Sequence, residues 1–181
     1  PMTLAAANIT CVATFNVAPP GGSNNFIALS GDYNGDGKAD LIWFNSATGQ
    51  AYGMLMNGVA ISQQGQFYQE SNTAWRIIHR GDFDGNGRDD LLWWNSQTGQ
   101  VYAMMMNGLN MAGGAEIYRE PNTAWQIVVA GDLNGDRKAD LVWWNHSTGQ
   151  VYGMLMNGTG VAQGGMIYQE ANTAWRILAA R

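Results

Sequence analysis

The sequence predicts an all-β protein, a β-propeller of four-stranded antiparallel blades, and three observations support this prediction. The chain repeats itself with a period of 50 residues, which Trp75, Trp125 and Trp175 mark. Repeats of about 40–50 residues that hold several short strands are typical of propeller blades. Within each repeat, short apolar runs alternate with turn dipeptides such as Asn-Gly. Glycines interrupt every stretch that is long enough for a helix.

The middle repeat shows the predicted strands in order. The first strand covers residues 75–80, and an aspartate-rich loop connects it to a second strand at 90–95, DLLWWN. This second strand is apolar on both faces, which predicts burial on both sides. A four-residue turn (SQTG) leads to a third strand at 100–106, which ends at an Asn-Gly turn. We expect a variable loop next and then a fourth strand at 115–120.

Aromatic and methionine side chains recur at the same places in each repeat. Trp93-Trp94 and Trp143-Trp144 are predicted to place one indole on each face of the second strand, and Trp43-Phe44 takes this place in the first repeat. We interpret the methionine runs as packing between blades, because methionine fits irregular gaps. These methionines are residues 54, 56, 104, 105, 106, 154 and 156.

The period divides the chain into whole and partial blades. The predicted units are a partial blade at 1–24, whole blades at 25–74, 75–124 and 125–174, and the first strand of a further blade at 175–181. Since open strand edges invite aggregation, we expect a propeller to close. Residues 2–18 are expected to pair with Trp175–Ala180 in the same chain or in a neighbouring chain, unless the sequence is a segment of a longer protein. We favour the neighbouring chain, because a ring of four blades leaves little room for bulky Trp and Met faces.

All ten aspartates lie in three loops between first and second strands: GDYNGDGKAD from Gly31, GDFDGNGRDD from Gly81 and GDLNGDRKAD from Gly131. Side-chain oxygens recur at loop positions 1, 3, 5 and 9, and position 7 is expected to supply a backbone carbonyl. This spacing matches the first part of an EF-hand loop, and such oxygen cages suit Ca²⁺. A plain Asp/Asn/Gly turn is the alternative interpretation. In the third loop, Arg137 replaces the glycine of the other two loops.

The predicted metal ligands are therefore five positions in each loop. They are Asp32, Asn34, Asp36, Lys38 and Asp40; Asp82, Asp84, Asn86, Arg88 and Asp90; and Asp132, Asn134, Asp136, Lys138 and Asp140.

Composition excludes several classes of protein. The net charge of −5, from 14 acidic and 9 basic residues, argues against nucleic-acid binding, which needs a basic face. No apolar stretch approaches the roughly 18 residues of a membrane span. The single cysteine, Cys11, excludes an internal disulfide.

The connection from each fourth strand to the next first strand is repeated almost unchanged. It reads YQESNTAW from Tyr68, YREPNTAW from Tyr118 and YQEANTAW from Tyr168, while the connection from third to fourth strand varies freely. Polar groups beside aromatic rings predict a set of equivalent shallow sugar sites. The alternatives are that these polar groups satisfy turn backbones, or that recent duplication preserved them. The predicted ligand-binding residues are Tyr68, Glu70, Asn72, Trp75, Tyr118, Glu120, Asn122, Trp125, Tyr168, Glu170, Asn172 and Trp175.

The stretch GDYNGDGKADLIWFNSATGQAYGMLMNG resembles the FG-GAP or VCBS repeat of bacterial extracellular proteins, and the calcium-loop blades of integrin-α-type propellers. The resemblance covers residues 25–181. It implies that the aspartate and asparagine residues at positions 1, 3, 5 and 9 of the three loops hold calcium. It also implies a secreted or cell-surface location and a role in adhesion, in sugar binding or as an appendage of a secreted enzyme. Ligand-contacting loops of such propellers tend to lie on the face opposite the calcium loops.

We therefore expect a non-enzymatic, calcium-binding module that binds carbohydrate or acts in adhesion. The alternative is a structural or protein-interaction subunit whose propeller closes by oligomerisation or within a larger secreted assembly. Two histidines at non-equivalent positions, His79 and His146, provide no catalytic pattern. A paired-carboxylate hydrolase that uses Glu70, Glu120 or Glu170 is the remaining enzymatic alternative. The expected partners are glycans or a surface protein, together with further copies of the chain.

Overall fold

The computed structural model describes residues 26–172, 174, 175 and 177, and it contains three four-stranded antiparallel sheets, called blades 1, 2 and 3 in chain order. Blade 1 consists of β1 (Phe26–Gly31), β2 (Asp40–Asn45), β3 (Gln50–Asn57) and β4 (Ala60–Gln69). Blade 2 consists of β5 (Trp75–Gly81), β6 (Asp90–Asn95), β7 (Gln100–Asn107) and β8 (Asn110–Arg119). Blade 3 consists of β9 (Trp125–Gly131), β10 (Asp140–Asn145), β11 (Gln150–Asn157) and β12 (Gly160–Gln169). The predicted fold class is confirmed.

Each blade pairs its strands in chain order, so consecutive strands are neighbours. The aspartate loops and the turns between third and fourth strands therefore lie at one end of each blade, called the loop end. The turns between second and third strands and the connections between blades lie at the other end, called the pocket end. In the described part of the chain there is no helix, and hence none that is long and apolar enough to cross a membrane.

The fourth strand is longer than predicted. We expected a variable loop before a strand at 115–120, whereas β8 begins at Asn110 and only Gly108 and Leu109 separate it from β7. The prediction of a loop was wrong because glycine and polar residues favour strands poorly. Pairing with β7 nevertheless keeps these residues in the sheet, and two register shifts absorb the irregularity.

The blades pack face to face, as the doubled aromatics predict. Trp93 belongs to the buried cluster between blades 1 and 2, while Trp94 packs against the cluster between blades 2 and 3. Met104 and Met106 lie in the first cluster and Met105 lies in the second. The interpretation of these methionines as packing between blades is confirmed.

The loop ends of neighbouring blades are joined by backbone hydrogen bonds. The Asp89 N–H donates to the Asp32 carbonyl at 2.7 Å, and the Ala139 N–H donates to the Asp82 carbonyl at 2.6 Å. At the first junction, Asp89 Oδ2 also accepts hydrogen bonds from the Asp32 N–H and from Arg80 Nη1, both at 2.8 Å. The first and second loops are thus each held in place by the loop that follows.

The repeated turn between second and third strands has a structural explanation. In blade 1, Asn45 Oδ1 accepts hydrogen bonds from the N–H groups of Ala47 and Thr48 at 3.0 and 3.2 Å. Gly49 has a φ of 76°, and a Cβ atom there would overlap the Glu70 carbonyl oxygen. Only glycine fits such a position. The repetition of this turn therefore follows from backbone geometry and is no evidence of a binding site.

The ends of the chain fall largely outside the described residues. This applies to the predicted partial blade at 1–24, to most of 175–181, and to the proposed pairing of residues 2–18 with Trp175–Ala180. The route by which the blades close into a ring stays a prediction.

Candidate functional site

The first aspartate of each loop organises the loop backbone around itself. Asp32 Oδ1 accepts hydrogen bonds from the N–H groups of Gly35 and Asp36 at 2.7 and 3.1 Å, and Oδ2 accepts one from Gly37 at 2.8 Å. Asp82 and Asp132 make the same three bonds in the second and third loops. The three loops therefore share one backbone conformation.

The third loop keeps this conformation although it lacks one glycine. Arg137 has a φ of 69°, and it is the only residue other than glycine with a positive φ in the described part of the chain. Its N–H donates to Asp132 Oδ2 at 2.9 Å, as Gly37 and Gly87 donate to the first aspartates of their loops. A left-handed conformation costs an ordinary residue about 1–2 kcal/mol. The departure from the pattern thus strains the loop without changing its hydrogen bonds.

The ninth-position aspartate fastens each loop to the third strand of its blade. Asp90 is fully buried; its Oδ1 accepts from the Met106 N–H at 2.8 Å and its Oδ2 from the Phe83 N–H at 2.9 Å. Asp40 and Asp140 are equally buried and make the equivalent pairs of bonds. Burial raises the pKa of Asp90 to about 6, although the two backbone N–H groups oppose the shift. A neighbouring cation would stabilise the charged form of such a carboxylate.

The second loop brings three carboxylates together. Oxygen atoms of Asp82, Asp84 and Asp90 all lie within 4.8 Å of one another. The first and third loops carry Asn34 and Asn134 in place of Asp84, whereas Asn86 of the second loop stands in place of their aspartates, so each loop offers three carboxylates and one amide. A set of carboxylate and amide oxygens is the donor chemistry that Ca²⁺ prefers. The residues of the loops therefore fit a calcium ion, and the second loop fits it best.

The seventh-position side chains lie across blade junctions or along their own loops. Arg88 Nε donates to the Asn34 carbonyl of the preceding loop at 3.3 Å. Lys38 Nζ lies 3.0 Å from Asp36 Oδ2, and this hydrogen bond lowers the pKa of Asp36. Lys138 Nζ donates to Asn157 Oδ1 at 2.6 Å. We predicted that these residues bind the metal through their backbone carbonyls. The side-chain contacts do not test that role, which stays a prediction.

At the opposite end, each described junction between blades contains a cavity of the same construction. The cavity between blades 1 and 2 has a volume of about 250 Å³, and the one between blades 2 and 3 has a volume of about 270 Å³. These volumes lie just under the roughly 300–1,000 Å³ of sites for drug-sized ligands, so they suit a small polar ring. Tyr68, Glu70, Trp75, Trp93, Tyr102, Met104 and Met111 line the first, and Tyr118, Glu120, Trp125, Trp143, Tyr152 and Met154 line the second.

The aromatic walls of the two cavities have the same geometry. The rings of Tyr68 and Trp93 meet edge to face with centroids 5.5 Å apart, and those of Tyr118 and Trp143 do so at the same distance. Nε1 of Trp93 and Nε1 of Trp143 are buried and lack a hydrogen-bond acceptor among the described residues. An unpaired buried donor costs about 1–3 kcal/mol. Both cavities therefore combine aromatic surface with a carboxylate, and the tryptophan in each wall has a buried N–H without an acceptor.

The FG-GAP-like repeat family matches residues 32–93 and 82–143, which together make up more than half of the chain. Each match runs from one aspartate loop to the second strand of the next repeat. The chain belongs to the FG-GAP-like repeat family. The resemblance seen in the loop and strand motif is thereby confirmed. No curated protein matches the chain.

The fold of these FG-GAP-like repeats is similar to that of a solved lectin from Agrocybe aegerita, described as specifically recognising non-reducing terminal N-acetylglucosamine. The TM-score is 0.66 and the sequence identity is 14%, so the likeness concerns the fold alone. The match covers 83% of this chain and 40% of the lectin chain. The chain thus spans less than half the length of the lectin that it matches.

In the first two of the three predicted sets, the structure brings three of the four ligand residues into a cavity. Tyr68, Glu70 and Trp75 line the first cavity, whereas Asn72 shapes the turn beside it. Asn72 Oδ1 accepts from the Ala74 N–H at 3.0 Å, and the Asn72 N–H donates to Glu70 Oε1 at 2.7 Å. Tyr118, Glu120, Trp125 and Asn122 repeat this arrangement in the second cavity.

The third predicted set lies at the outer face of blade 3. The Asn172 N–H donates to Glu170 Oε1 at 2.8 Å, and Tyr168 Oη donates to Glu170 Oε2 at 3.4 Å. Tyr168 and Trp175 are exposed. The local turn is therefore complete, but no further blade stands against it in the described residues.

Sequence reasoning missed one wall of each cavity. Trp93 and Met104 were interpreted only as packing between blades and Tyr102 was given no role, although all three line the first cavity. The signal was present, because the spacing of Trp, Tyr and Met recurs 50 residues later. A repeat of a complete lining, rather than of one loop, would have identified these residues.

The two histidines lie apart from the cavities and from each other. His79 Nε2 is 3.0 Å from the Ile127 carbonyl oxygen at the junction of the first strands. The His146 ring lies near the Trp144 ring, with centroids 6.3 Å apart.

Proposed function

We propose that this protein is a non-enzymatic, calcium-binding propeller module that binds carbohydrate in the cavities between successive blades. The observation that carries the proposal is the pair of equivalent cavities, one at each described junction. Duplication alone explains equal residues. It does not require that an open space with a carboxylate and aromatic rings persists at both junctions.

The chemistry of the lining suits a sugar ring. The rings of Tyr68 and Trp75 provide apolar surface on which the apolar face of a sugar packs, while a carboxylate accepts hydrogen bonds from hydroxyl groups. Small-molecule sites commonly combine a mostly apolar wall with a few placed polar groups. Glu70 keeps one oxygen for the turn, because its Oε1 accepts the Asn72 N–H, and its Oε2 faces the Tyr68 hydroxyl at 3.5 Å.

Calcium belongs to the loop end in this proposal. A bound ion supplies positive charge that neutralises the clustered carboxylates and cross-links the loop. The cluster of Asp82, Asp84 and Asp90 supports this role most directly. The ion and the sugar would lie at opposite ends of a blade, so calcium acts through stability and not as a contact to the ligand. The resemblance of the repeats to those of bacterial extracellular proteins supports a secreted or cell-surface location, with a role in adhesion.

A glycan array in calcium buffer tests the proposal, with binding to a sugar expected. The paired variant Glu70→Gln and Glu120→Gln keeps the turn acceptor but removes the charge, and it should weaken the selected glycan about tenfold or more, since a hydrogen bond to a charged group contributes about 1.5–3 kcal/mol. The exposed Glu116→Gln, outside both cavities, is the matched control and should bind normally. A folded protein that binds no glycan would refute the carbohydrate proposal.

A second candidate role is that of a structural or protein-interaction subunit. It is favoured by the exposed apolar side chains Leu133 and Ile167 on the outer face of blade 3. Large exposed apolar groups that lie together commonly mark interaction surfaces. The two roles are compatible, because this face also carries the third set of predicted ligand residues.

A further inference from the structure

The carboxylate in each of the two cavities has no cationic partner among the described residues. Three ion pairs occur in the described part of the chain, and none of them includes Glu70 or Glu120. No described lysine or arginine lines either cavity. Both glutamates are half-buried, so their charges are partly withdrawn from water. A charge in such a place is stabilised by an opposite charge beside it. The space next to each carboxylate therefore suits a cation.

Aromatic rings form the other walls beside each carboxylate. Four rings line each cavity, two from tyrosine and two from tryptophan. The rings of Tyr68 and Trp93 meet at an interplanar angle of 69°, and those of Tyr118 and Trp143 meet at 66°. Rings at such angles form adjoining walls rather than a flat stack. The face of an aromatic ring attracts an ammonium group, most strongly when the ring is that of tryptophan.

The turn at each cavity holds the carboxylate in place. Glu70 Oε1 accepts the Asn72 N–H at 2.7 Å, and Glu120 Oε1 accepts the Asn122 N–H at 2.8 Å. In the first cavity, Glu70 Oε2 lies 3.5 Å from the Tyr68 hydroxyl oxygen. Burial and the charge of Glu70 raise the pKa of Tyr68. The negative charge thus lies directly at the aromatic wall, on a side chain that the turn has already positioned.

The cavities are larger than an ammonium group alone. Their volumes of about 250 and 270 Å³ leave room for a sugar ring that carries the charged group. Met104 and Met154 lie at equivalent places in the two linings and add polarisable but uncharged surface. The carboxylate is therefore the charged group to which the described lining of each cavity can direct a ligand.

A neutral sugar and a cationic sugar would affect this carboxylate differently. A neutral ring displaces water from the glutamate and offers only hydroxyl groups in return. A protonated amine displaces the same water, but it also places a positive charge beside the carboxylate and against the aromatic faces. Charge-assisted hydrogen bonds are roughly twice as strong as neutral ones. The cavities should therefore prefer a sugar with a free amine to the same sugar with an acetylated amine.

We propose that the two cavities select cationic amino sugars, with the protonated amine beside Glu70 or Glu120 and the sugar ring packed on the aromatic walls. Such selection deepens the proposed function and rests on it. It also differs from the recognition described for the Agrocybe aegerita lectin, because N-acetylglucosamine is a neutral sugar.

Titration calorimetry with glucosamine and with N-acetylglucosamine tests the proposal on the full chain in calcium buffer, at a pH below the pKa of the glucosamine amine. Every protein in the comparison carries Glu170→Gln, so that the third set of predicted ligand residues contributes no carboxylate. Glucosamine should bind about tenfold or more tightly than N-acetylglucosamine. Circular dichroism verifies that each protein is folded.

Paired variants locate the origin of this preference. Glu70→Gln with Glu120→Gln removes the carboxylate from both cavities, keeps an acceptor for each turn and should abolish the preference for glucosamine. Glu70→Gln with Glu116→Gln is the matched control. It changes the net charge equally, but Glu116 is exposed and lines neither cavity. The second cavity of this control should keep the preference for glucosamine.

The other outcomes overturn the proposal in distinguishable ways. If the folded protein binds both sugars equally or prefers N-acetylglucosamine, the selection of amino sugars is wrong and the carbohydrate function stands. Choline that binds as tightly as glucosamine would show that the sugar ring contributes nothing, which also refutes the selection. Equal loss of the preference in both paired variants would assign it to net charge instead of the cavity carboxylates. If no sugar binds, here or on the array, the proposed function fails as well.

Discussion

The two ends of a blade use polar groups in opposite ways. At the loop end, Asp32 accepts three backbone hydrogen bonds within its own loop, and Asp40 accepts two that fasten the loop to its blade. At the pocket end, the Nε1 donors of Trp93 and Trp143 are buried with no acceptor among the described residues. The aspartates of the loop end thus spend their oxygens on backbone donors, although the buried Tyr33 hydroxyl there has no partner among the described residues, whereas at the pocket end the unpaired groups are indole N–H donors of the cavity walls.

This difference predicts that substitutions at the loop end affect stability and that substitutions at the pocket end affect binding. Asp90→Ala should have the largest effect on folding. It leaves the N–H groups of Met106 and Phe83 without their acceptor in a buried place. Each such group costs about 1–3 kcal/mol, so we expect a loss of about 2–6 kcal/mol in the free energy of unfolding.

Urea denaturation in EDTA measures this effect without any contribution from metal. Asp90→Asn is the control, because its amide oxygen retains one acceptor and its loss should be smaller. If Asp90→Ala unfolds at the same urea concentration as the wild-type protein, Asp90 has no structural role at the loop end.

Removal of calcium should have the next largest effect. A ligand that binds only the folded state stabilises it by about 2.7 kcal/mol at 100 times its Kd. We therefore expect EDTA to lower the Tm, and added calcium to restore it. Glycan affinity measured below the melting transition should change little, because the cavities lie at the other end of the blades. An unchanged melting curve would indicate that the loops act only as turns.

The smallest effect on folding is expected at the pocket end. Glu120→Gln keeps an acceptor for the Asn122 N–H, so the free energy of unfolding should change by less than about 0.5 kcal/mol. The same variant should weaken binding in its cavity, which calorimetry on the Glu70→Gln background detects. Should Glu120→Gln destabilise the fold as strongly as Asp90→Ala, the contrast between the two ends would be wrong.

Several features of the fold were predictable because they depend on local chemistry or on the repeat. The second strand DLLWWN and the turn after it were placed at the residues where the structure has them. The doubled tryptophans were assigned one to each face, since a strand alternates its side chains. The loop before the fourth strand was predicted wrongly, because the pairing with β7 outweighs the poor strand propensity of its glycines.

The candidate sites divide in the same way. The aspartate loops could be recognised from spacing, because the first aspartate of each loop makes its backbone hydrogen bonds within the same loop. Only one wall of each cavity could be recognised from the sequence. Tyr68, Glu70 and Trp75 are close in sequence, but Trp93 and Tyr102 come from the next blade. Whether Trp93 and Tyr102 come close to the first wall depends on how two sheets pack, and no local sequence pattern predicts that.

By itself, the sequence determined the repeat, the strand order and the three loops, because backbone turns and alternating side chains are local properties. Only the tertiary structure decided that Asp90 is buried between the loop and β7, that Asn72 serves the turn, and that an indole N–H is left unpaired at each cavity. These outcomes depend on which groups meet across blades, and hydrogen bonding and desolvation there are set by neighbours that are distant in the chain.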